Sequence, residues 1–343
     1  QAVTIHVPAD QATIQAGVSA ASDGDKVAIA PGTYSGAGNR DVDFGGASVA
    51  LIGASGSATT IMYCGEAGRA LVIQSGENVV VRGLTLIGAH SVEHGGGIYC
   101  LGSSLTLDDV RVLGCSSEKN GGGVYCKDGT ISVTAATIED NSAGGNGGGI
   151  SVYGDVSHVT LTDVDFVDNN ATFGGGVSLT PGTSGVMENV TWNGNSVTDG
   201  GGGLACYQTD PGTPQLTDVT FEGNSANCGG GISCWEASPS ISDASVALNS
   251  AVDGAGLSAR VDASPTMTNV EFEQNTATDR GGGLFCDDGS SPTLESVVFS
   301  GNEATNSHGG GMCCLNGCSA SIMSCTFEGN TAGHDGGGVY CHT

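Results

Sequence analysis

The stretch "PTMTNVEFEQNTATDRGGGLFC", residues 265–286, spells out one unit of the pattern that decides the fold. Two short segments alternate apolar with polar residues through Met267, Val270 and Phe272, as half-buried strands do. Asn275 follows Phe272 by three positions, and a short loop then leads to three glycines, Leu284 and Cys286. The first marker recurs as "FVDNNA", "WNGNSV", "FEGNSA", "FSGNEA" and "FEGNTA". The glycine element recurs as "GGGIYC", "GGGVYC", "GGGLAC", "GGGISC" and "GGGMCC". Triplets begin at Gly95, Gly121, Gly147, Gly174, Gly201, Gly229, Gly281, Gly309 and Gly336, with a degenerate "GAG" at Gly254, so the period is about 27 residues.

Composition agrees with a repeat rather than with ordinary globular packing. The chain has 343 residues, of which 60 are glycine, and aromatic and charged residues are sparse. No strict Gly-X-Y period exists, which excludes collagen. Thirty-six acids against nine bases give a net charge of −27, spread along the chain. Such a surface repels nucleic acid and anionic lipid, so no nucleic-acid partner is expected. No apolar run is long enough to insert into a membrane. Gln1 as first residue reads as a processed N-terminus. Thirteen cysteines without zinc-like CxxC pairs suit an oxidising compartment. The expected location is extracellular, secreted or at the cell surface.

Three short strands, two tight turns and one loop fill a unit of this length. If each unit is one coil, like positions in successive coils stack at about 4.8 Å. Phe166, Trp192, Phe221, Phe272, Phe299 and Phe327 then form one internal stack. Asn141, Asn169, Asn195, Asn224, Asn249, Asn275, Asn302 and Asn330 form a structural column whose amides satisfy one another along the axis. The glycines supply a corner where backbones approach closely. The fold expected is all-β: a single-stranded right-handed parallel β-helix, a solenoid with coils of about 27 residues.

The paired "FxxN" and "GGG[ILV]" elements resemble the repeats of the chlamydial polymorphic membrane proteins and the right-handed parallel β-helix repeat of large bacterial secreted proteins. The segment "VPADQATIQAGVSAASDGDKVAIAPGTYSG" resembles the opening segment of the pectin-lyase-like superfamily. That resemblance implies a short capping helix at about residues 11–21 and a first strand in "DGDKVAIAPGTY". One domain is expected over 1–343, with the cap and first coil in 1–45, degenerate coils in 46–90 and regular repeats in 91–343.

Cysteines share one inward register at Cys100, Cys126, Cys206, Cys234, Cys286, Cys314 and Cys341, and neighbouring coils bring their Cα atoms within disulfide range. These are disulfide candidates, with reduced buried thiols as the alternative. Acids before the triplets, at Asp199, Asp253, Asp279 and Asp335, are candidate ligands for structural Ca²⁺, which takes six to eight oxygens. Asp109, Asp163, Asp218 and Asp243 form another set at the turn within the unit, where Asp also serves as a turn former. Tyr99, Tyr125, Ser151, Ser178, Ala205, Ser233, Ser258, Phe285 and Tyr340 are read as outward positions of the triplet strand. Just beyond them, Tyr153, Tyr207 and Trp235 are candidate glycan or partner contacts.

The superfamily's lyases imply a carboxylate cluster for Ca²⁺ beside an Arg or Lys base, and its hydrolases imply close carboxylates with His and a basic pair. Here no R-x-K arrangement occurs, and Arg280 beside Asp279 is the nearest approach to such a site. Triplet intervals vary only from 25 to 28 residues, leaving no cleft-building insertion. The expected function is therefore a secreted, non-enzymatic structural protein: a cell-surface stalk, adhesin or head-to-tail filament subunit, with no catalytic residue and no required cofactor. The alternative is a polysaccharide-binding or polysaccharide-cleaving pectin-lyase-like module. Nothing resembling a cap follows Cys341, so end-to-end self-association or a further C-terminal domain is expected.

Overall fold

The computed structural model describes residues 2–209 and 214–342; Gln1 lies outside them. The chain is an all-β, right-handed parallel solenoid of about 13 turns, with a coil spacing of about 26 residues. It divides into two compact units, residues 1–165 and 166–343.

The second unit shows the coil most plainly. The strand Thr266–Glu273 bends at Asn269, whose φ is 54°. Asn189, Asp218, Asp243 and Ser296 hold the same left-handed place in neighbouring coils. Short polar side chains tolerate that region best, so Asp218 and Asp243 serve the bend. The strands Thr276–Arg280 and Leu284–Cys286 complete the coil. Each pairs in parallel with its counterpart one coil on: Phe272 with Phe299, Thr276 with Glu303, Leu284 with Met312.

The three glycines have separate jobs. Gly281 turns the corner with φ 63°, which only glycine adopts without strain. A Cβ on Gly282 would lie 2.5 Å from the Gly310 carbonyl oxygen, and one on Gly283 would lie 2.6 Å from that of Gly311. Coils therefore approach at these positions more closely than any side chain allows.

Inside the second unit, Phe166 stacks on Trp192 at 5.6 Å and Trp192 on Phe221 at 4.4 Å, with rings nearly parallel. Phe272, Phe299 and Phe327 form a second run at 4.9 and 4.6 Å. The repeat spacing alone predicts one stack of all six rings. Val246 stands in register between Phe221 and Phe272 and divides it.

Beside the rings run the asparagines, buried from Asn169 to Asn302. The Asn224 backbone N–H and side-chain amide both donate to Asn249 Oδ1, at 2.9 and 3.0 Å, and the second amide hydrogen goes to the Trp192 carbonyl. The same three bonds recur at Asn195, Asn249, Asn275 and Asn302. Two donors and both lone pairs of each interior amide are thereby used, so burial leaves nothing unpaired. In the last coil Ile322, Met323 and Val339 are exposed.

The first unit opens with the strand Thr4–Val7 and the helix Ile14–Ala20, shorter than the expected span of residues 11–21. Thr13 caps it by accepting from the Ala16 N–H at 3.2 Å. Ile14 and Val18 are buried, and a Cβ on Gly17 would meet Val7 and Val27 at 2.9 Å, so the helix lies directly on the first strands. Further on, the strand Ser104–Leu113 pairs in parallel with Asn78–Ile87 and Thr130–Glu139. Leu86, Val112 and Ile138 fill the place that rings fill in the second unit, and Cys115 precedes Asn141 in the asparagine column. Asp109 and Asp163 hold left-handed bends here too, at φ 51° and 56°.

Candidate functional site

The outer face of the triplet strands carries exposed aromatic and charged side chains in the second unit. Leu204–Tyr207 pairs with Ile232–Trp235, and that strand with Leu257–Arg260. Leu204 and Cys206 point inward, which leaves Ala205 and Tyr207 outside by the period of two. Two outward columns result, and they differ. The one through Ser178, Ala205, Ser258 and Phe285 is buried, although period two places it at the surface. The segment before each triplet folds alongside it. The guanidiniums of Arg260 and Arg280 lie 5.0 and 5.8 Å from the Phe285 ring centre. In the first unit Tyr125 and Ser151 are likewise buried, and His94 stacks on Tyr125 at 4.5 Å.

The next outward column is open to solvent. Tyr207 is 44% exposed and Trp235 40%, and their rings stack at 6.3 Å and 27°. Arg260 follows Trp235 in register. Its Nη2 reaches back across the glycine corner to Asp253 Oδ2 at 2.7 Å. Arg280 approaches the other carboxylate oxygen at 3.9 Å and pairs with Asp279 at 3.0 Å. Burial pushes the Asp253 carboxyl up from the ordinary aspartate range, with the two guanidiniums pulling against it. Asp253 Oδ1, Arg260 Nε and Ser258 Oγ are buried without a hydrogen-bond partner. Asp253 is thus a half-buried carboxyl flanked by two cations and beside an aromatic platform, a setting suited to proton exchange, although its unpaired oxygen Oδ1 is itself closed to solvent.

Of the four acids read as candidate calcium ligands, two meet and two stand apart. Asp253 and Asp279 belong to the arginine group. Asp199 is exposed and uses its backbone carbonyl to hold the Asn227 and Cys228 N–H groups. Asp335 is exposed beside His308. A shallow groove over the left-handed bends is lined by Asp218, Asp243, Asn269 and Glu271, with no basic residue. In the first unit Tyr153 is exposed, and the Lys127 ammonium lies 5.2 Å from its ring centre.

The cysteine pairs fall in register as expected: Cys100 with Cys126, Cys206 with Cys234, Cys286 with Cys314, and Cys314 with Cys341. All thirteen are thiols in this structure. Cys286, Cys314 and Cys318 have sulfurs all within 4.8 Å of one another, the one close group of three metal-ligating atoms among the described residues. The Cys286 and Cys314 thiols donate to Cys318 and hold its pKa down to about 4. Cys318 lies off the repeat register, and only the turn after Cys314, with Asn316 and Gly317 at positive φ, signals its return.

This geometry defines a right-handed parallel β-helix. The family model "Right handed beta helix region" matches residues 156–332, more than half of the chain, and the chain belongs to that family. Residues 324–342 match the Chlamydia polymorphic membrane protein repeat. No curated protein matches the chain. Among solved structures, it is similar to an alginate lyase from Paenibacillus, at 16% identity and TM-score 0.48 over 99% of this chain and 98% of that one. An α-1,3-glucanase catalytic unit from Streptomyces thermodiastaticus gives 16% and 0.36, over 96% of this chain and 64% of that one. A mannuronan C-5 epimerase module from Azotobacter vinelandii gives 14% and 0.36, over 96% and 93%. The expectation of a non-enzymatic protein is corrected to an open one: the similar solved structures are enzymes, and the likeness to them is one of fold. Among the described residues, no helix is long and apolar enough to cross a membrane, which says nothing of a β-barrel.

Proposed function

We propose that the chain recognises polysaccharide on the outer face of its second unit, and that Asp253 is where chemistry on the bound glycan takes place. One observation carries this reading: the exposed Tyr207–Trp235 stack runs in register into Arg260, whose guanidinium holds Asp253. Aromatic faces pack against the apolar faces of sugar rings, and positions one coil apart lie about 4.8 Å from each other, close to the rise of one sugar in an extended chain. Arg260 and Arg280 offer donors to hydroxyl or carboxylate oxygens. A carboxyl whose pKa is raised by burial is suited to give a proton to a leaving oxygen and to take one back. The acidic surface and the polymorphic-membrane-protein repeat at residues 324–342 support a place outside the cell or on its surface.

The reading is tested by electrophoresis through gels cast with neutral and with uronate polysaccharides, alongside an assay for new reducing or unsaturated ends. Retardation by at least one polymer is expected. Trp235→Ala and Tyr207→Ala should each weaken it about tenfold, the worth of one aromatic contact of roughly 1.4 kcal/mol. Identical migration in every gel would sink the proposal. Retardation without product on any polymer would remove the role given to Asp253.

A further inference from the structure

We propose that Cys286, Cys314 and Cys318 bind one soft d¹⁰ cation, Zn(II) or Cu(I), through three thiolate sulfurs. The argument begins with the repeat. Cys286 and Cys314 occupy the same inward place in adjacent coils and are paired in register, so the parallel ladder alone sets two sulfurs side by side. In the next residues the chain turns sharply. Asn316 and Gly317 take left-handed φ values of 46° and 78°, and the Cys318 N–H donates to the Leu315 carbonyl at 3.1 Å. That turn returns a third sulfur to the first two. In the preceding coil the corresponding turn holds Ser290, whose carbonyl accepts from the Ser319 N–H at 3.3 Å and whose buried hydroxyl has no partner.

Distances suit a metal. With metal–sulfur bonds of about 2.3 Å, sulfurs around a tetrahedral or trigonal ion stand roughly 3.8–4.0 Å apart. The three sulfurs here all lie within 4.8 Å of one another, so closure needs less than an ångström of movement. A disulfide would use two of the three and leave one buried thiol beside it. Access also fits, because Cys286 and Cys314 are buried whereas Cys318 is partly exposed and opens the group to solvent. A water molecule completes a fourth position, on the side that Cys318 leaves open to solvent. Binding forms metal–sulfur bonds and releases to solvent whatever protons the sulfurs still carry, with no electron transferred. Thiolate donors select such ions over Ca²⁺ and Mg²⁺, which take oxygen.

The test uses the full reduced chain under anaerobic conditions, titrated with Zn(II), with Cd(II) as its spectroscopic stand-in, and separately with Cu(I), each against a competing chelator. One equivalent of at least one of these ions should bind tightly and release protons, and Cd(II) should give a thiolate charge-transfer band. That equivalent should be lost in Cys318→Ser and in Cys314→Ser and kept in Cys206→Ser, whose sulfur lies elsewhere in the ladder. Cys318 sits on a partly exposed turn, so its variant should keep the wild-type far-UV spectrum. Cys318→Ala is the second variant if it does not. Retention of the equivalent without Cys318 overturns the proposal, as does the absence of tight binding by every ion tried. A disulfide through Cys318, mapped in protein purified without reductant, overturns it equally.

Discussion

Two carboxylates, one buried in the first unit and one half-buried in the second, show how the same scaffold uses an acid for opposite ends. Glu77, in the first unit, is 1% exposed and fully employed. Its oxygens accept from the backbone N–H groups of Gly46 and Ser75 at 3.0 and 2.6 Å and from the Ser103 hydroxyl at 2.9 Å. Burial pushes its pKa up, yet these donors outweigh burial and hold it below the ordinary glutamate range. Asp253, in the second unit, meets guanidiniums instead and keeps one oxygen unpartnered, and its pKa is raised. A carboxylate whose lone pairs are spent on the chain ties turns together. One held by two guanidiniums, with an oxygen buried and unpaired, keeps a raised pKa instead.

The contrast is most sharply broken by Glu77→Ala. It removes the acceptor of two part-buried N–H groups and of the Ser103 hydroxyl, which keeps the Leu101 carbonyl, and should cost the first unit about 2–3 kcal/mol at neutral pH, read from denaturant unfolding. The sign of the pH dependence follows from the depressed pKa. The stability that Glu77 carries is complete above its ordinary value of 4.5 and is lost as pH falls through the lowered folded value. Glu77→Gln should therefore flatten the acid limb of the stability profile, and an unchanged limb would remove the structural role.

Asp253→Asn should do less to the fold, about 1–2 kcal/mol, since Arg260 loses an ion pair while the burial cost of a charge disappears. Here the folded pKa is raised, so the wild type loses stability as pH climbs through it and the variant gains on the wild type over that interval. A loss as large as that of Glu77→Ala would show that Asp253 is structural. Smallest is the serine pair. Ser103→Ala removes a donor to Glu77 and should cost about 1 kcal/mol, whereas Ser258, buried with no partner, should be replaceable by Ala at no cost or with a slight gain. Equal effects at the two serines would dissolve the comparison.

Much of this architecture is legible in the sequence because a solenoid writes its contacts at a fixed spacing. Asn224 and Asn249 can be matched by counting, and so can Phe272 and Phe299. The bends at Asp218 and Asp243 declare themselves through residue type. What counting misses is contact across the coil. Arg260 and Asp253 sit seven residues apart on either side of a glycine corner, and nothing in their spacing says that they meet. Period two marks Phe285 as outward, but the burial of its ring depends on the long side chains of Arg260 and Arg280. Glu77 and Cys318 act from turns outside the repeat register. Regular intervals and missing linear motifs do not reveal a group of this kind, since Asp253 and its arginines come together only in the folded chain.

The asparagine column of the second unit has a direction. From Asn169 to Asn302 each residue gives its backbone N–H and one amide hydrogen to the carboxamide oxygen of the coil that follows, and no carboxamide oxygen accepts from the coil after it. Aligned dipoles polarise their neighbours, so a row of this kind behaves as a wire of partial charge, negative toward Asn169 and positive toward Asn330. The two faces across which coils add to this ladder are thereby electrically unlike: one offers donors, the other acceptors, and a coil can join in one orientation only.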